Sequence, residues 1–178
     1  ETVDVKFVGA EITTVEVTDA KAEIIAGTDE DPVYNQVTFF DQDNEEMAKP
    51  EGAEAKVVDK DGKNVAGATA TIVDVYFNDE GEIVKADENT TVPTFKAVEV
   101  KAPTAAAGDY KVVVTAAEKT DDKEAVEASF DLKVKEARAL DTIEIAPEKS
   151  VVSLGANSVS TVKFTDQYGQ AMDKPENA

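Results

Sequence analysis

The strongest constraint on this chain is internal: its last seventeen residues repeat a stretch met much earlier. Laid over residues 37–53 (VTFFDQDNEEMAKPEGA), residues 162–178 (VKFTDQYGQAMDKPENA) are identical at nine of seventeen positions, at an offset of 125. Phe39 falls on Phe164, Asp41 on Asp166, Gln42 on Gln167, Met47 on Met172, and Lys49, Pro50 and Glu51 on Lys174, Pro175 and Glu176. Upstream the match continues at an offset of 128, where residues 12–27 face residues 140–155 with four identities and four aliphatic-for-aliphatic exchanges. The slip of three falls between Gly27 and Val37, in a polar stretch with a proline, where a loop tolerates insertion. Spacing of this kind implies an array of tandem modules.

The ends are read from that array. The opening VDVKF resembles DLKVK at residues 131–135, just before the second copy begins. Residues 1–8 are therefore expected to be the terminal strand of a preceding module, residues 9–137 one complete module, and residues 138–178 the opening strands of the next. A module of about 128 residues can bury roughly two thirds of its unfolded surface, enough for a core without staples. An opening of about forty residues cannot. The expectation is a piece of a longer protein, whose end segments pair with neighbours or with each other.

Period-two alternation runs through the whole chain. Val15 and Val17 alternate with Glu16 and Thr18, and residues 23–26 make a short edge segment before Gly27. QVTFF at 36–40 reads as a buried strand stopped by the acidic turn DQDNEE. EAKVVD at 54–59 is followed by DKDGK, whose Asp-Gly marks a tight turn. The β-branched run ATATIVDVYF at 68–77 turns through NDEG into EIVK at 82–85, the clearest hairpin in the sequence. TFKAVEVK at 94–101, AGDYKVVVTA at 107–116 and AVEASFDLKVK at 125–135 complete about eight strands. Only residues 20–26 and 42–48 have room for a helical turn. The strand pattern predicts an all-β chain folded as an antiparallel β-sandwich, which a resemblance at Gly-Asp-Tyr makes immunoglobulin-like. Gly-Asp-Tyr before a valine-rich strand resembles the tyrosine corner of such sandwiches, with Tyr110 as the candidate; a strand tyrosine with its ring at the core edge is the other reading.

Charge and missing side chains narrow the function. With 38 acidic against 18 basic residues the formal net charge is -20, which repels nucleic-acid phosphate and acidic lipid alike. No apolar run is long enough to span a membrane. Histidine, cysteine and tryptophan are absent, which removes the usual general base, the Ser-His and Cys-His nucleophile pairs and ordinary zinc ligand sets. Carboxylate pairs such as Asp41 with Asp43, or Asp79 with Glu80, formally suit a glycosidase, but so many acids make solvated pairs commonplace. The chain is not expected to be an enzyme, and no catalytic or cofactor-binding residue is assigned. Calcium is the one ion the side chains suit, through acidic turns at Asp41, Asp43, Glu45 and Glu46, at Asp59 and Asp61, at Asp79, Glu80 and Glu82, and at Asp121 and Asp122. None completes an EF-hand loop, so a calcium site would draw on separate loops and its ligands stay open. Sugar sites favour exposed aromatic platforms, for which four tyrosines without tryptophan are a poor supply; Tyr34, Tyr76 and Tyr168 are the candidates, and each reads more readily as a core or turn residue.

FTDQYGQAM at residues 164–172 carries a family resemblance. A strand ending in Asp-Gln-Tyr-Gly, followed by a small apolar pair, resembles the turn after an early strand in bacterial immunoglobulin-like modules, above all those of surface-layer proteins of bacilli. LDTIEIAPEKSVVSLG at 140–155 looks like the opening of the same modules, while the earlier copy departs from it with DQDNEE in place of DQYGQA. The resemblance covers residues 140–178 well, 12–53 more weakly, and 54–135 through its strand pattern and Gly-Asp-Tyr. It implies a self-assembling lattice on the outside of the cell, in which modules contact neighbouring modules and copies of the same chain. Calcium often promotes such assembly, and domains outside this sequence attach it to wall polymer. The alternative is an adhesin stalk, or a carbohydrate-binding or spacer domain of a secreted protein.

Overall fold

The computed structural model of the chain describes residues 10–18, 20, 23–27, 32–117, 124–147 and 159–173. Among the described residues there are thirteen strands and no helix, so the chain is all-β and its sheets are antiparallel except at one short edge. Neither stretch with room for a helical turn contains one among the described residues; each contributes a short strand instead. Two units are distinguished, Glu1–Glu136 and Ala137–Ala178.

Unit 1 contains β1 (Ile12–Thr18), β2 (Glu23–Ile25), β3 (Val33–Asp41), β4 (Glu46–Met47), β5 (Glu54–Val58), β6 (Thr69–Phe77), β7 (Ile83–Lys85), β8 (Phe95–Lys101), β9 (Gly108–Ala117) and β10 (Val126–Lys135). One sheet runs β1-β3-β8-β6-β7 with β4 beside β3, and the other runs β2-β10-β9-β5. β2 lies parallel to β10, and this edge is extended by the Ala26 N–H donating to the Lys135 carbonyl at 3.1 Å. The pairs β6–β7 and β9–β10, read from the sequence as strands joined by polar turns, are antiparallel neighbours.

Alternation places one row of each strand in a shared core. Val15, Val37, Phe39, Val98 and Val100 from the first sheet join Ile24, Val57, Val112, Val114, Leu132 and Val134 from the second in a single buried cluster. Small β-branched side chains on a pleated face account for most of it, and Phe39, 1% exposed, is the largest member.

Tyr110 stands near the start of β9, the last strand but one of this unit. Its hydroxyl donates to the carbonyl of Ala106, four residues upstream, at 3.0 Å. The ring folds back over Gly108, where a Cβ would meet the Tyr110 hydroxyl at 3.4 Å, an ordinary contact distance. Tyr110→Phe is expected to lower unit 1 stability by about 0.5–1.5 kcal/mol, the net value of one such bond. The shift of the urea midpoint at unchanged slope measures it.

Unit 2 contains β11 (Leu140–Pro147), β12 (Ser160–Asp166) and β13 (Ala171–Met172), in that order in one sheet. Its pairing reproduces the first strands of unit 1. Ile12 opposite Asp41, Thr14 opposite Phe40, Val15 opposite Phe39 and Val17 opposite Val37 become Leu140 opposite Asp166, Thr142 opposite Thr165, Ile143 opposite Phe164 and Ile145 opposite Val162. Both pairs have a register shift at the same place, with Thr13 in one and Asp141 in the other as the extra residue. Phe39 opposite Met47 likewise becomes Phe164 opposite Met172.

Candidate functional site

The acidic stretches are hairpin tips of one design. In DQDNE the Asp41 Oδ1 accepts the N–H groups of Asp43 and Glu45, both at 2.9 Å, while the Asn44 N–H donates to the Asp41 carbonyl and the Asp41 N–H to that of Glu45. Asp59 does the same for Asp61 and Lys63, Asn78 for Glu80 and Glu82, and Asp166 for Tyr168 and Gln170. Each is a type I turn closed by a left-handed residue, which an Asp or Asn at the first position organises through its side chain. The left-handed position is Gly62, Gly81 or Gly169 in three of them and Asn44, at φ 61°, in the fourth. DQDNEE therefore keeps the turn of DQYGQA although it lacks the glycine, because asparagine is the non-glycine residue best suited to that conformation.

A second shared device ties the incoming chain to this turn. The Gln42 Oε1 accepts the Glu11 N–H at 2.8 Å, and Gln167 accepts the Ala139 N–H at 2.7 Å. In unit 2, the Gln167 Nε2 also donates to the Ala137 carbonyl at 2.8 Å. Arg138, the sole arginine of the sequence, donates to Asp166 Oδ2 at 2.5 Å and to the Ala171 carbonyl at 2.6 Å. Burial alone would raise the Asp166 carboxyl, but the Gln170 N–H, the Arg138 guanidinium and the Tyr168 N–H outweigh it and hold the carboxyl below its ordinary 3.8. Ionised Asp166 thus stabilises unit 2 above that ordinary value, and the contribution is lost as pH falls through the lower folded value.

Substitution separates the two roles of this carboxylate. Asp166→Asn is expected to keep the turn, since Asn78 organises an identical one with an amide oxygen, and to lose the charge partner of Arg138. Asp166→Ala is expected to expose the Tyr168 and Gln170 amides to fast hydrogen exchange at neutral pH. The wild-type chain and Asp166→Asn should keep both amides protected at the same pH.

A buried carboxylate lies elsewhere in unit 1. Glu99, at the centre of β8 and 7% exposed, accepts from the Tyr34 hydroxyl at 3.1 Å and from Lys85 Nζ at 3.1 Å. Burial, then the charge of Glu99 and the hydrogen bond to it, push the Tyr34 phenol up to about 12. The triad is satisfied from within, and no groove described below is lined by it.

A groove of about 830 Å³ lies open on the outward face of β5, β9 and β10. Lys60, Lys111 and Lys133 line it among Asp59, Asp109 and Asp131, so its charges are mixed. Smaller grooves of about 420 and 400 Å³ lie beside Met47 and Phe95, and beside Arg138 and Met172.

The candidate residues are dispersed rather than gathered. Asp41 and Asp59 spend one carboxylate oxygen on their own turns, while the exposed Asp79 and Glu80 sit at the tip that Asn78 organises. Asp121 and Asp122 lie outside the described residues. Among the described residues no three acids assemble as a metal-holding group. Tyr34 and Tyr76 occupy opposite faces of the first sheet, and Tyr168 belongs to unit 2, so the three tyrosines form no common platform. The exposed aromatic surface is instead Phe77, 57% exposed, stacked on Phe95 at 4.9 Å.

The sequence reading missed the Gln42 and Gln167 ties, the Arg138 clamp and the Glu99 triad. Two signals were present: the Asp-Gln pair is identical in both copies, and arginine occurs once. No protein-family model matches the sequence, and no curated protein matches it.

Proposed function

We propose that the chain is a structural part of a self-assembling bacterial cell-surface layer, built from tandem immunoglobulin-like modules that contact copies of themselves. One observation carries the reading: the opening of unit 1 recurs in unit 2 with the same register, the same bulge position, the same turn and the same glutamine tie. A scaffold reused in series suits a protein whose task is to extend and to touch its neighbours. The immunoglobulin-like assignment is supported by strand order, since β1-β3-β8-β6 and β2-β10-β9-β5 correspond to A-B-E-D and A′-G-F-C. The Tyr110 bond to Ala106 supports the same reading.

In this reading the acidic hairpin tips meet across molecules and calcium offsets their repulsion. Sedimentation in millimolar calcium and in chelator tests it. Large species or sheets that form in calcium and dissolve in chelator are expected; a chain that stays monomeric in both overturns the lattice. A carbohydrate-binding module is the second reading, favoured by the Phe77–Phe95 ring pair. Retention on a polysaccharide column that Phe77→Ala abolishes would establish it instead.

A further inference from the structure

The first strands of unit 2 carry the same apolar row as those of unit 1, in a different environment. Val15 is 6% exposed and Val37 3%, whereas their counterparts Ile143 and Val162 are 51% and 44% exposed. Ile145, the counterpart of half-buried Val17, is 66% exposed, and Leu140, the counterpart of Ile12, is 39% exposed. Alternation across the paired strands puts Ile143, Ile145, Val162, Phe164 and Met172 on one face. Apolar side chains gathered on one face of a sheet mark a surface that something covers.

Unit 1 shows what covers this row. There the face belongs to a cluster completed by Val98 and Val100 of β8, Val112 and Val114 of β9, and Leu132 and Val134 of β10. The covering strands also attach by hydrogen bonds, since β8 pairs with the start of β3, Glu99 with Tyr34, Val98 with Asn35 and Ala97 with Gln36. At the offset of 125 these β3 positions correspond to Val159, Ser160 and Thr161, beside which the sheet of unit 2 has no further strand among the described residues.

We propose that this face is half of a core, and that its occupant is a β-segment with the chemistry of residues 54–136. One strand would pair antiparallel along 159–161, and two more would lay valine and leucine over Ile143, Ile145, Val162 and Phe164. The proposal rests on reading the two units as copies of one module and is independent of lattice assembly. A second copy of the chain does not supply the segment, because its own Val98, Val112 and Leu132 are committed to unit 1 at 0–1% exposure.

The test extends the full chain. Ala178 aligns with Ala53, so a second stretch of residues 54–136 appended after Ala178 keeps the spacing of the complete module. The sequence has no cysteine, so Ile145→Cys provides a single thiol whose maleimide labelling reports coverage. Labelling is expected to slow at least about tenfold in the extended chain, together with slower amide exchange at Ser160 and Thr161. Aspartate at the appended counterparts of Val112 and Leu132 should restore fast labelling. Unchanged labelling overturns the proposal, as does an appended segment that stays unfolded beside an intact unit 1. Protection that grows with concentration in the unextended chain also overturns it, by assigning the face to a second copy. Calcium-dependent sedimentation is scored separately, so failure of the lattice reading leaves this result standing.

Discussion

Truncating Phe39 to alanine is expected to lower the stability of unit 1 by about 3–5 kcal/mol, whereas the matching change Phe164→Ala should cost unit 2 about 1 kcal/mol. The two residues have the same side chain and the same register, opposite Val15 in one sheet and Ile143 in the other. They differ in what surrounds them. Phe39 is 1% exposed within a cluster drawn from both sheets of unit 1, while Phe164 is half-buried on a three-stranded sheet. Deleting a ring from a packed interior removes its contacts and leaves a cavity that the neighbours only partly fill. Deleting one from a partly open face leaves no comparable void. Hydrogen exchange followed separately along β3 and β12 in the full chain measures both effects. Equal losses would mean that position in the sheet, rather than coverage, sets the contribution of this phenylalanine.

The second large effect comes from backbone proximity. Gly67 has φ 77°, and a Cβ there would lie 2.5 Å from Thr104 Oγ1, 2.6 Å from the Thr104 carbonyl carbon and 2.7 Å from the Ala105 nitrogen. The Thr104 N–H donates to the Gly67 carbonyl at 3.3 Å, so the two loops are tied where they touch. Gly67→Ala combines the left-handed penalty of about 1–2 kcal/mol with overpacking against main chain of about 1–3 kcal/mol. The expected total loss is about 2–5 kcal/mol. Gly52→Ala is the internal comparison, since its φ is 83° and nothing lies within 4 Å of the added carbon. It should lose only the conformational part, about 1–2 kcal/mol. Urea midpoints for the two variants separate crowding from backbone preference, and similar values would show that residues 104 and 105 move aside.

Much of the strand pattern was legible because the chain alternates so regularly. ATATIVDVYF carries β-branched residues at every second position, TFKAVEVK ends in apolar-polar alternation, KVVVTA is a nearly continuous β-branched run, and each became a strand close to the expected bounds. β3 was read only from Gln36, yet it starts at Val33. Tyr34, Asn35 and Gln36 look like loop chemistry, but β8 holds them in a ladder and Glu99 receives the tyrosine hydroxyl. Glu99 itself misleads, since alternation assigns it to the outward row while Tyr34 and Lys85 bond to it there at 7% exposure. The parallel attachment of β2 to β10 could not be read from three residues, because pairing between distant strands leaves no local mark. The side-chain ties escaped for the same reason. Gln42 and Arg138 act through backbone groups about thirty residues away, at separations of 31 and 33.

The hairpin tip built four times among the described residues uses only two of its five positions to hold its shape: the Asp or Asn that gathers the amides and the Gly or Asn that reverses the backbone. The remaining three have been Gln, Asp and Glu in one loop, Lys, Asp and Lys in another, and Gln, Tyr and Gln in a third. Surface identity can therefore drift at these rims while every strand behind them stays in step. Two such tips can differ in the side chains they present without any change in the turn that holds them.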